Sequence, residues 1–252
     1  CLMEFNEPTS VIIKHSNPCG AASSSNIYQS FIKSYESDKI SAFGGIILVN
    51  RKMNKKLASK IVKNFFEVVV APDFDSESLT ILKSKKNLIL LKMGPIRHEK
   101  WEYRSTIFGN LYQTKDMENI NKKYLKLVSS KKANGRKVDD LIFALKVTKH
   151  LKSNAIVLVK NKQVLGVGCG QTNRIDSLKQ ALKRLKKNFD AKDFVCASDG
   201  FFPFTDSIKE LKKNQCNIIA QPGGSINDTT VIDYAKENKL SLYFVKNRLF
   251  KH

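Results

Sequence analysis

The sequence predicts an α/β protein, because short β-branched runs alternate with amphipathic segments along most of the chain. Its 252 residues, 42% of them apolar, are enough to bury a full hydrophobic core in one or two domains. No apolar run approaches the roughly eighteen residues that a membrane-spanning helix needs. We therefore expect a globular protein that has no membrane partner.

The individual elements follow from local pattern. The strand candidates, which share short runs of β-branched or other apolar residues, are 10–14, 45–49, 67–71, 88–92, 155–160, 163–168, 194–197, 217–220 and 241–245. The helix candidates, in which apolar residues recur at helical spacing, are 25–37, 54–65, 138–151, 176–188, 206–214 and 228–238. In the segment 138–151 we expect core packing for Leu141, Phe143 and Leu145.

The least regular part of the chain is 93–137, with Pro95 near its start and a polar, lysine-rich run at its end. Breaks in periodicity of this kind are typical of domain boundaries. We place the boundary there, between a subdomain at 1–130 and a second at 131–252. No internal sequence repeat is evident, and only a weak similarity relates strand-then-turn units at 10–20, 155–170 and 217–225.

A potentially reactive pair, Lys14 and His15, follows the apolar triplet at 11–13 and precedes the sequence Ser-Asn-Pro-Cys-Gly. A β-branched triplet before Asn-Pro and Gly predicts a buried strand that enters a tight loop. Loops at the carboxyl ends of strands are where α/β proteins bind ligands. The alternative is that the lysine solvates a strand end and the histidine caps a turn, and the pair alone leaves both interpretations open.

The segment 198–206 places three Phe, two Asp and one Pro directly after an apolar run. Carboxylates among aromatic side chains are unfavourable in a core unless they meet partners. In a ligand site, the aromatic faces can sandwich a flat heterocycle while a carboxylate orients it. A second apolar run followed by a glycine turn occurs at 218–225, after which Asp228 is predicted to be a helix N-cap.

Cysteine usage indicates a reducing compartment. The five cysteines have no regular spacing, which argues against a disulfide framework: Cys1, Cys19, Cys169, Cys196 and Cys216. The first eight residues have no basic region and no long apolar stretch, so we expect no signal peptide and a cytoplasmic location. Zinc deaminases carry Pro-Cys-x-x-Cys, whereas Ala22 stands at the second cysteine position here, so no metal is predicted.

The formal net charge of +21 raises the possibility of a nucleic-acid partner. Lysine dominates this charge, only seven residues are arginine, and the lysines are scattered along the chain. Bidentate recognition of phosphates and bases favours arginine. We therefore predict no nucleic-acid partner and favour a basic pocket that attracts polyanionic small molecules. Nucleic-acid binding through basic residues remains an alternative function.

Six motifs occur in the order found in the AICAR transformylase/IMP cyclohydrolase family, and nearly the whole chain resembles its transformylase domain. The motifs, which include the two described above, are 14–20, 41–45, 152–157, 166–174, 198–206 and 247–252. The resemblance implies two tandem cytidine-deaminase-like α/β subdomains without zinc. It also implies a homodimer whose subunits share active sites.

The activity that the resemblance implies is formyl transfer from 10-formyltetrahydrofolate, the co-substrate, to the 5-amino group of AICAR. The products are FAICAR and tetrahydrofolate, in the biosynthesis of IMP. The amine is a poor nucleophile, so the site needs a proton acceptor and a group that stabilises the tetrahedral intermediate. His15 fits the first role, and Lys14 fits the second or protonates N10 of the leaving folate; the sequence leaves these two open.

The resemblance also assigns binding residues. The substrate-binding set is Asn154, which meets the carboxamide, Phe201, Phe204 and Asp206 of the nucleotide pocket, and Arg174 and Arg248, of which Arg248 is preferred for the phosphate. The folate-binding set is Phe43, Gly44 and Pro203. Each assignment has a structural alternative: Asn154 opens a strand, Arg174 pairs with Asp176, and Phe201 or Phe204 belongs to the core.

Departures from the family pattern remove no proposed catalytic group. They are Asn173 for Ser, Gly200 for Ala, Thr205 for Arg and Lys251 for His or Arg. The family domain begins with an earlier Arg-Tyr segment that 1–13 does not match, and the cyclohydrolase domain is also unmatched. We therefore expect no IMP ring closure, and the alternative function is a catalytically incomplete fragment that binds nucleotide or folate.

Overall fold

The computed structural model describes residues 1–94 and 100–252. The strands are β1 (Thr9–Lys14), β2 (Asn17–Ser23), β3 (Gly45–Val49), β4 (Phe66–Ala71), β5 (Ile89–Lys92), β6 (Trp101–Thr106), β7 (Gly109–Thr114), β8 (Leu125–Leu127), β9 (Ile156–Lys160), β10 (Gln163–Gly168), β11 (Val195–Ser198), β12 (Ile218–Pro222) and β13 (Ser241–Val245). The helices are α1 (Ile27–Ser37), α2 (Lys39–Ala42), α3 (Lys55–Ile61), α4 (Ser76–Lys83), α5 (Gly135–Thr148), α6 (Arg174–Asn188), α7 (Asp206–Lys213) and α8 (Asp228–Glu237). Short 3₁₀ turns lie at Leu2–Glu4 and Lys122–Tyr124.

The α/β prediction is confirmed, and every predicted strand and helix is present. The sequence predicts a helix at 138–151, whereas the corresponding helix, α5, begins at Gly135. It begins there because Asn134 is its N-cap, with a side chain that accepts from Lys137 N at 3.0 Å. Helix α3 ends at Ile61, before the predicted 65. The elements missing from the prediction are α2, α4, β2, β6, β7 and β8. Strands β6 and β7 form a separate hairpin in which every residue is exposed.

The main sheet contains an internal structural repeat that the sequence does not show. Its strand order is β5-β4-β3-β1-β2-β10-β9-β11-β12-β13-β8. In the first half, β1 and β2 form a hairpin, β3 pairs antiparallel with β1, and β4 and β5 add in parallel. The second half repeats this arrangement with the hairpin β9–β10, then β11, β12 and β13. The halves meet where β2 pairs with β10.

Two glycines show how closely the repeats correspond. Gly166 lies 146 residues after Gly20, and each faces the backbone of the helix that follows its hairpin. A Cβ on Gly20 would lie 2.0 Å from Ser34 O in α1, and one on Gly166 would lie 2.2 Å from Ala181 O in α6. Only glycine allows such an approach, so both helices pack directly on the sheet.

The sheet lies between two layers. Helices α1, α3 and α4 pack on one face of the first half, and α6, α7 and α8 continue this layer over the second half. Helix α5 packs on the opposite face, where Leu141, Phe143 and Leu145 are buried as expected. Within the two described ranges, no helix combines the length and the apolar character needed to cross a bilayer.

The predicted tight loop after Lys14 is wrong in its extent. The turn consists of His15 and Ser16 alone, with φ angles of 49° and 63°, and β2 begins at Asn17. Two residues with positive φ form the hairpin turn whose twist matches that of the flanking strands. The Asn-Pro and Gly signals therefore belong to a strand, in which Gly20 admits the α1 backbone.

Two further expectations need correction. Asp228 is the first residue of α8, after the N-cap Asn227, and its Oδ2 accepts from Gly224 N at 2.7 Å. Of the three similar units, 10–20 and 155–170 are both hairpins, whereas 217–225 is a strand followed by a loop. Pro95, near the start of the predicted boundary segment, lies outside the described residues.

Candidate active site

The candidate residues lie along one edge of the sheet, here called the site edge. It is formed by the carboxyl ends of β1, β11, β12 and β13 and the amino end of β9. The register places Ser198 beside Ile156 and Pro222 beside Val245, so these ends are aligned. Aligned strand ends are followed by loops whose polar groups can bind ligands, as in other α/β sheets.

Lys14 ends β1 with its ammonium group fixed by the main chain. Its Nζ donates to Phe43 O at 3.0 Å and to Gly44 O at 2.8 Å. Gly44 has a φ of 64°, and a Cβ there would lie 3.0 Å from Nζ, so the close approach depends on glycine. An ammonium has three donors, and two are used here, which leaves one for a ligand.

His15 lies in the turn itself and is exposed. Its carbonyl accepts from Asn17 Nδ2 at 3.1 Å, and within the described ranges its imidazole ring has no hydrogen bond. A neutral imidazole in this position can accept a proton from a ligand.

The hairpin turn is joined directly to the loop that precedes β9. Asn17 Oδ1 accepts from Lys152 N at 3.1 Å. Ser153 N in turn donates to Lys251 O at 2.9 Å, and Lys251 N donates to Ser153 Oγ at 3.2 Å. Residues 152–154 therefore connect the Lys14 and His15 turn with the C-terminal segment.

Asn154 lies in this connecting loop, two residues before β9, so it does not open the strand. Its Nδ2 donates to Gln171 O at 2.9 Å, and its own carbonyl accepts from Ser177 Oγ at 2.7 Å. These bonds fix the side chain and leave Oδ1 as the acceptor for a ligand amide.

Arg174, the first residue of α6, forms a buried ion pair with Asp199. The Nη2 to Oδ1 distance is 2.8 Å, and the two side chains are 10% and 0% exposed. Nη1 also donates to Phe201 O at 3.2 Å. The alternative pairing with Asp176 is wrong, because Asp176 lies beside Lys179 instead. Asp199, a carboxylate among aromatic residues, therefore has in Arg174 the charged partner that its burial requires.

Arg248 stacks between two aromatic rings at the site edge. Its guanidinium carbon lies 5.1 Å from the Phe201 ring centre and 5.8 Å from that of Phe250. Phe201 is half-buried and Arg248 is exposed, so the guanidinium presents donors to solvent in a held orientation. The core position in this segment belongs to Phe202, whereas Phe204 is 63% exposed; the core alternative for Phe201 and Phe204 is wrong.

The remaining candidates divide into two groups. Phe43 is exposed beside Lys14 and packs on Phe65 at a ring-centre distance of 5.0 Å. Pro203 lies at the other group, where its carbonyl accepts from Asn227 Nδ2 at 2.8 Å. Asp206 begins α7 and accepts from Ser207 N at 2.6 Å. In the part of the chain that the structure describes, no hydrogen bond or aromatic contact links Pro203 to Phe43.

The sequence model of one protein family, described as the AICARFT/IMPCHase bienzyme, matches residues 1–184. The chain belongs to the AICARFT/IMPCHase bienzyme family. The matched residues include Lys14 and His15 at the hairpin turn and the loop that contains Asn154. The match extends through Arg174 into α6.

Curated members of the AICARFT/IMPCHase family are similar over the whole chain. Those from Caldicellulosiruptor bescii and Caldicellulosiruptor saccharolyticus are 46% and 44% identical over 253 residues, covering 100% of this chain and 49% of each relative. The Aquifex aeolicus protein is 42% identical over 248 residues, or 98% of this chain and 48% of the relative. All three are named bifunctional purine biosynthesis protein PurH. The chain spans about half the length of these relatives.

The thiols near the site of this AICARFT/IMPCHase family member are unreactive. Burial raises the pKa of Cys19, in β2, to about 12, and burial also raises the pKa of Cys169. Both side chains therefore remain protonated at neutral pH and are poor nucleophiles. In residues 1–94 and 100–252, no cluster of three or more His, Cys, Asp or Glu side chains is arranged to hold a metal ion.

Four site residues have no role in the sequence-based assignment: Asn17, Ser153, Asp199 and Phe250. Asn17 and Ser153 act through main-chain bonds between distant segments, which no local pattern reveals. Phe250 gives a usable signal, because an aromatic residue two positions after an exposed arginine in an extended segment lies on the same side.

Proposed function

We propose that this chain catalyses formyl transfer from 10-formyltetrahydrofolate to the 5-amino group of AICAR, which yields FAICAR and tetrahydrofolate. The proposal rests on one observation, the arrangement of side chains at the His15–Ser16 hairpin turn of this chain, which belongs to the AICARFT/IMPCHase family. It combines an open imidazole, His15, with a fixed ammonium, Lys14, and it is bonded through Asn17 to the loop of Asn154. The relatives' name, which refers to purine biosynthesis, agrees with this chemistry.

In the proposed reaction, the AICAR amine attacks the formyl carbon, and the new C–N bond forms as His15 accepts the amine proton. The Lys14 ammonium, with one donor not used by the Phe43 and Gly44 carbonyls, is proposed to stabilise the oxyanion of the tetrahedral intermediate or to donate to N10. The intermediate collapses with cleavage of the bond between the carbon and N10. N10 gains the one proton that the amine loses, so the exchange is balanced.

The nucleotide is proposed to lie against the second group of residues. The Arg248 guanidinium, held by Phe201 and Phe250, suits a phosphate. Asn154 Oδ1 suits the carboxamide, and the Phe201 ring suits the flat imidazole. Arg174 acts indirectly, since its charge is satisfied by Asp199 and it holds the Phe201 carbonyl. Phe204 and Asp206, exposed at the start of α7, complete the proposed pocket.

The folate is proposed to bind at Phe43, Gly44 and Pro203, and the protein to act as a homodimer with shared active sites. Support comes from the different hydrogen-bond partners of these residues, because the carbonyls of Phe43 and Gly44 accept from Lys14 Nζ whereas that of Pro203 accepts from Asn227 Nδ2. A second subunit would supply the missing neighbour to each group.

The two subdomains are proposed to be cytidine-deaminase-like units without zinc, at 1–130 and 131–252. The repeated order of hairpin, antiparallel strand and two parallel strands supports two such units, and β8 (Leu125–Leu127) pairs with β13 of the second one. A cytoplasmic location is proposed on the basis of the five free cysteines, which suit a reducing compartment.

The deciding experiment measures tetrahydrofolate production from AICAR and 10-formyltetrahydrofolate by the purified chain, next to the Lys14→Ala/His15→Ala double variant. Turnover that is lost in the variant supports the proposal. Turnover that survives in the variant contradicts the assigned mechanism. Binding of AICAR without any turnover would establish the alternative, a binding fragment that is catalytically incomplete.

A further inference from the structure

The segment 247–252 presents two side chains at the site edge and buries the one between them. Arg248 and Phe250 are exposed, and the guanidinium carbon of the first lies 5.8 Å from the ring centre of the second. Leu249, between them, is 2% exposed, and its N donates to Asp199 O at 2.9 Å. The position of the Arg248 guanidinium therefore depends on how the main chain is held on either side of it.

The residue before Arg248 is held by a loop from a distant part of the chain. Asn247 Nδ2 donates to Glu118 Oε2, and 129 positions separate the two residues. Glu118 lies in the loop 115–121, here called the Glu118 loop, and is half-buried, whereas the residues on either side of it are exposed. The loop reaches this segment because β8, which follows the loop, pairs with β13, which leads into Asn247.

The Glu118 loop is itself fixed by a buried lysine. Lys149, at the end of α5, donates from Nζ to Glu118 O at 3.2 Å. The same Nζ lies 3.2 Å from Asp116 Oδ1 and 3.4 Å from Glu4 Oε1, and the lysine side chain is 7% exposed. Ile120, in the same loop, is 1% exposed and packs in the cluster of α5. Charge-assisted contacts and a core residue thus fix the loop on both sides of Glu118.

The other side of the C-terminal segment is held by Ser153, four residues after Lys149. Ser153 N donates to Lys251 O at 2.9 Å, and its Oγ accepts from Lys251 N at 3.2 Å. Arg248 thus lies between two contacts, at Asn247 and at Lys251. Both contacts lead back to the end of α5.

The charge of Glu118 has the wrong sign for the ligand proposed at Arg248. A carboxylate that contacts the preceding residue would repel an anion, so charge alone would favour a neutral side chain at this position. A hydrogen bond to an ionised acceptor, however, is stronger than a hydrogen bond between neutral groups. Electrostatic repulsion and positioning therefore predict opposite effects on anion binding when Glu118 is removed.

We propose that Glu118 is a positioning residue of the nucleotide site. Together with Lys149, it holds Asn247 so that the next residue, Arg248, keeps its guanidinium between its two aromatic neighbours. Glu118 acts through Arg248 and does not touch the substrate. This inference rests on the proposed function, in which the guanidinium binds the phosphate of AICAR, and it adds the group that orients that guanidinium.

The test measures AICAR binding by isothermal titration in two variants that remove the same charge. Glu118→Ala deletes the acceptor and should raise Kd about fivefold. Glu118→Gln keeps an acceptor oxygen for Asn247 and should remain within about twofold of the original chain. In both variants kcat should change by less than about twofold, so that the loss in Glu118→Ala appears in KM. If repulsion were the only effect of Glu118, both variants would bind AICAR more tightly.

Two further comparisons show whether the effect passes through Asn247 and Arg248. Asn247→Ala should match Glu118→Ala, and the double variant should bind AICAR no more weakly than either single variant, because both changes break one contact. In an Arg248→Ala background, Glu118→Ala should change Kd by less than about twofold, since no guanidinium remains to be positioned. Glu237→Ala is the matched control, because it removes an exposed carboxylate at the end of α8 and should leave Kd unchanged.

An unchanged or lower Kd in Glu118→Ala overturns the proposal, and so does an undiminished loss of binding in the Arg248→Ala background. A measurement without ligand separates this inference from the proposed function. The Leu249 amide should exchange hydrogen at least about fivefold faster in Glu118→Ala, and an unchanged rate contradicts the positioning role. If the original chain does not bind AICAR, the proposed function fails, and the exchange rate alone then decides this inference. If Glu118→Ala does not fold, Asn247→Ala, which changes an exposed side chain, replaces it in every comparison.

Discussion

Arg174 and Asp199 form a buried ion pair, with 2.8 Å between Nη2 and Oδ1, that ties the start of α6 to the end of β11. The same guanidinium donates to Phe201 O. The pair therefore positions the aromatic segment against which Arg248 stacks. Its partners come from segments 25 residues apart, and their side chains are 10% and 0% exposed, so removal of either one leaves the other charge largely buried without a counter-ion.

Asp199→Asn should lower the free energy of unfolding by about 3 kcal/mol, because the Arg174 charge would remain buried without its counter-ion. Urea denaturation measures this loss. The matched control is Asp233→Asn, which removes an exposed pair with Lys236 at 3.6 Å and should change stability by less than about 0.5 kcal/mol. A loss below about 1 kcal/mol for Asp199→Asn would show that the pair contributes little.

His15→Asn should abolish most of the proposed activity and leave the fold intact. Asparagine tolerates positive φ and occupies the equivalent position at Asn161, where φ is 52°. The change therefore removes the imidazole without disturbing the turn. We expect kcat to fall by about 10²- to 10⁴-fold with Tm unchanged, as measured by tetrahydrofolate release and thermal unfolding. Full activity in this variant would exclude His15 as the proton acceptor.

Arg248→Ala should weaken AICAR binding by about 10- to 100-fold, because a charge-assisted contact to phosphate contributes about 1.5–3 kcal/mol. Isothermal titration of AICAR against the two proteins measures the effect. Stability should be unaffected, since the side chain is exposed. Lys246→Ala is the matched control, as it removes one exposed cation from the same segment. Equal effects of both variants would point to general electrostatic attraction and not to a phosphate contact.

Gly200→Ala should disturb the site through a single methyl group. The added Cβ would lie 2.4 Å from Arg174 Nη2 and 2.8 Å from Phe250 Cε1, and the guanidinium is already held by Asp199. Because the nearest atoms belong to the ends of two side chains that can shift, and because the family pattern has Ala here, we expect a loss of no more than about 1 kcal/mol in unfolding free energy, measured in urea, and weaker AICAR binding. Gly135→Ala is the control, because among the described residues, apart from its chain neighbours and its own helix backbone, no atom lies within 4 Å of the added Cβ. If Gly200→Ala left both stability and AICAR binding unchanged, the Arg174 side chain would be able to shift away from the added methyl group without cost.

His150→Gln should make stability less sensitive to acid. Burial lowers the pKa of His150 below its usual 6.5, and this outweighs the hydrogen bond to Glu4, which acts in the opposite direction. The unfolded chain therefore binds the proton more tightly, so stability falls as pH decreases from 6.5 through the folded pKa. Urea unfolding at about pH 7.5 and pH 5 should show a smaller decrease for the variant. An equal decrease in both proteins would assign the acid sensitivity to other groups.

Local pattern was sufficient for most secondary structure and failed at β2. There, Asn17 and Pro18 resemble turn signals, yet they lie in a strand that is stabilised by pairing with β1 and by the contact of Gly20 with α1. The exposed hairpin β6–β7 has only a brief alternation, at Trp101 to Arg104, and no buried face, so its signal is weak. Short helices such as α2, with four residues, are below the length at which helical periodicity can be recognised.

The candidate site shows the same division. The adjacency of Lys14 and His15 and the aromatic segment at 198–206 can be identified from the sequence, because each is a contiguous motif. The ion pair of Arg174 with Asp199 and the bond between Asn17 and Lys152 cannot, because each joins segments that are distant in the chain.

The sequence by itself determined the α/β class, the order of the elements and the reactive groups, since these depend on residue type and on spacing within one segment. Only the tertiary structure decided that the two halves repeat, that α5 covers one half, and that the Asp140 carboxylate accepts from both N–H groups of the Asn161–Lys162 turn. The physical reason is that strand pairing and helix packing bring together residues whose separation along the chain carries no pattern.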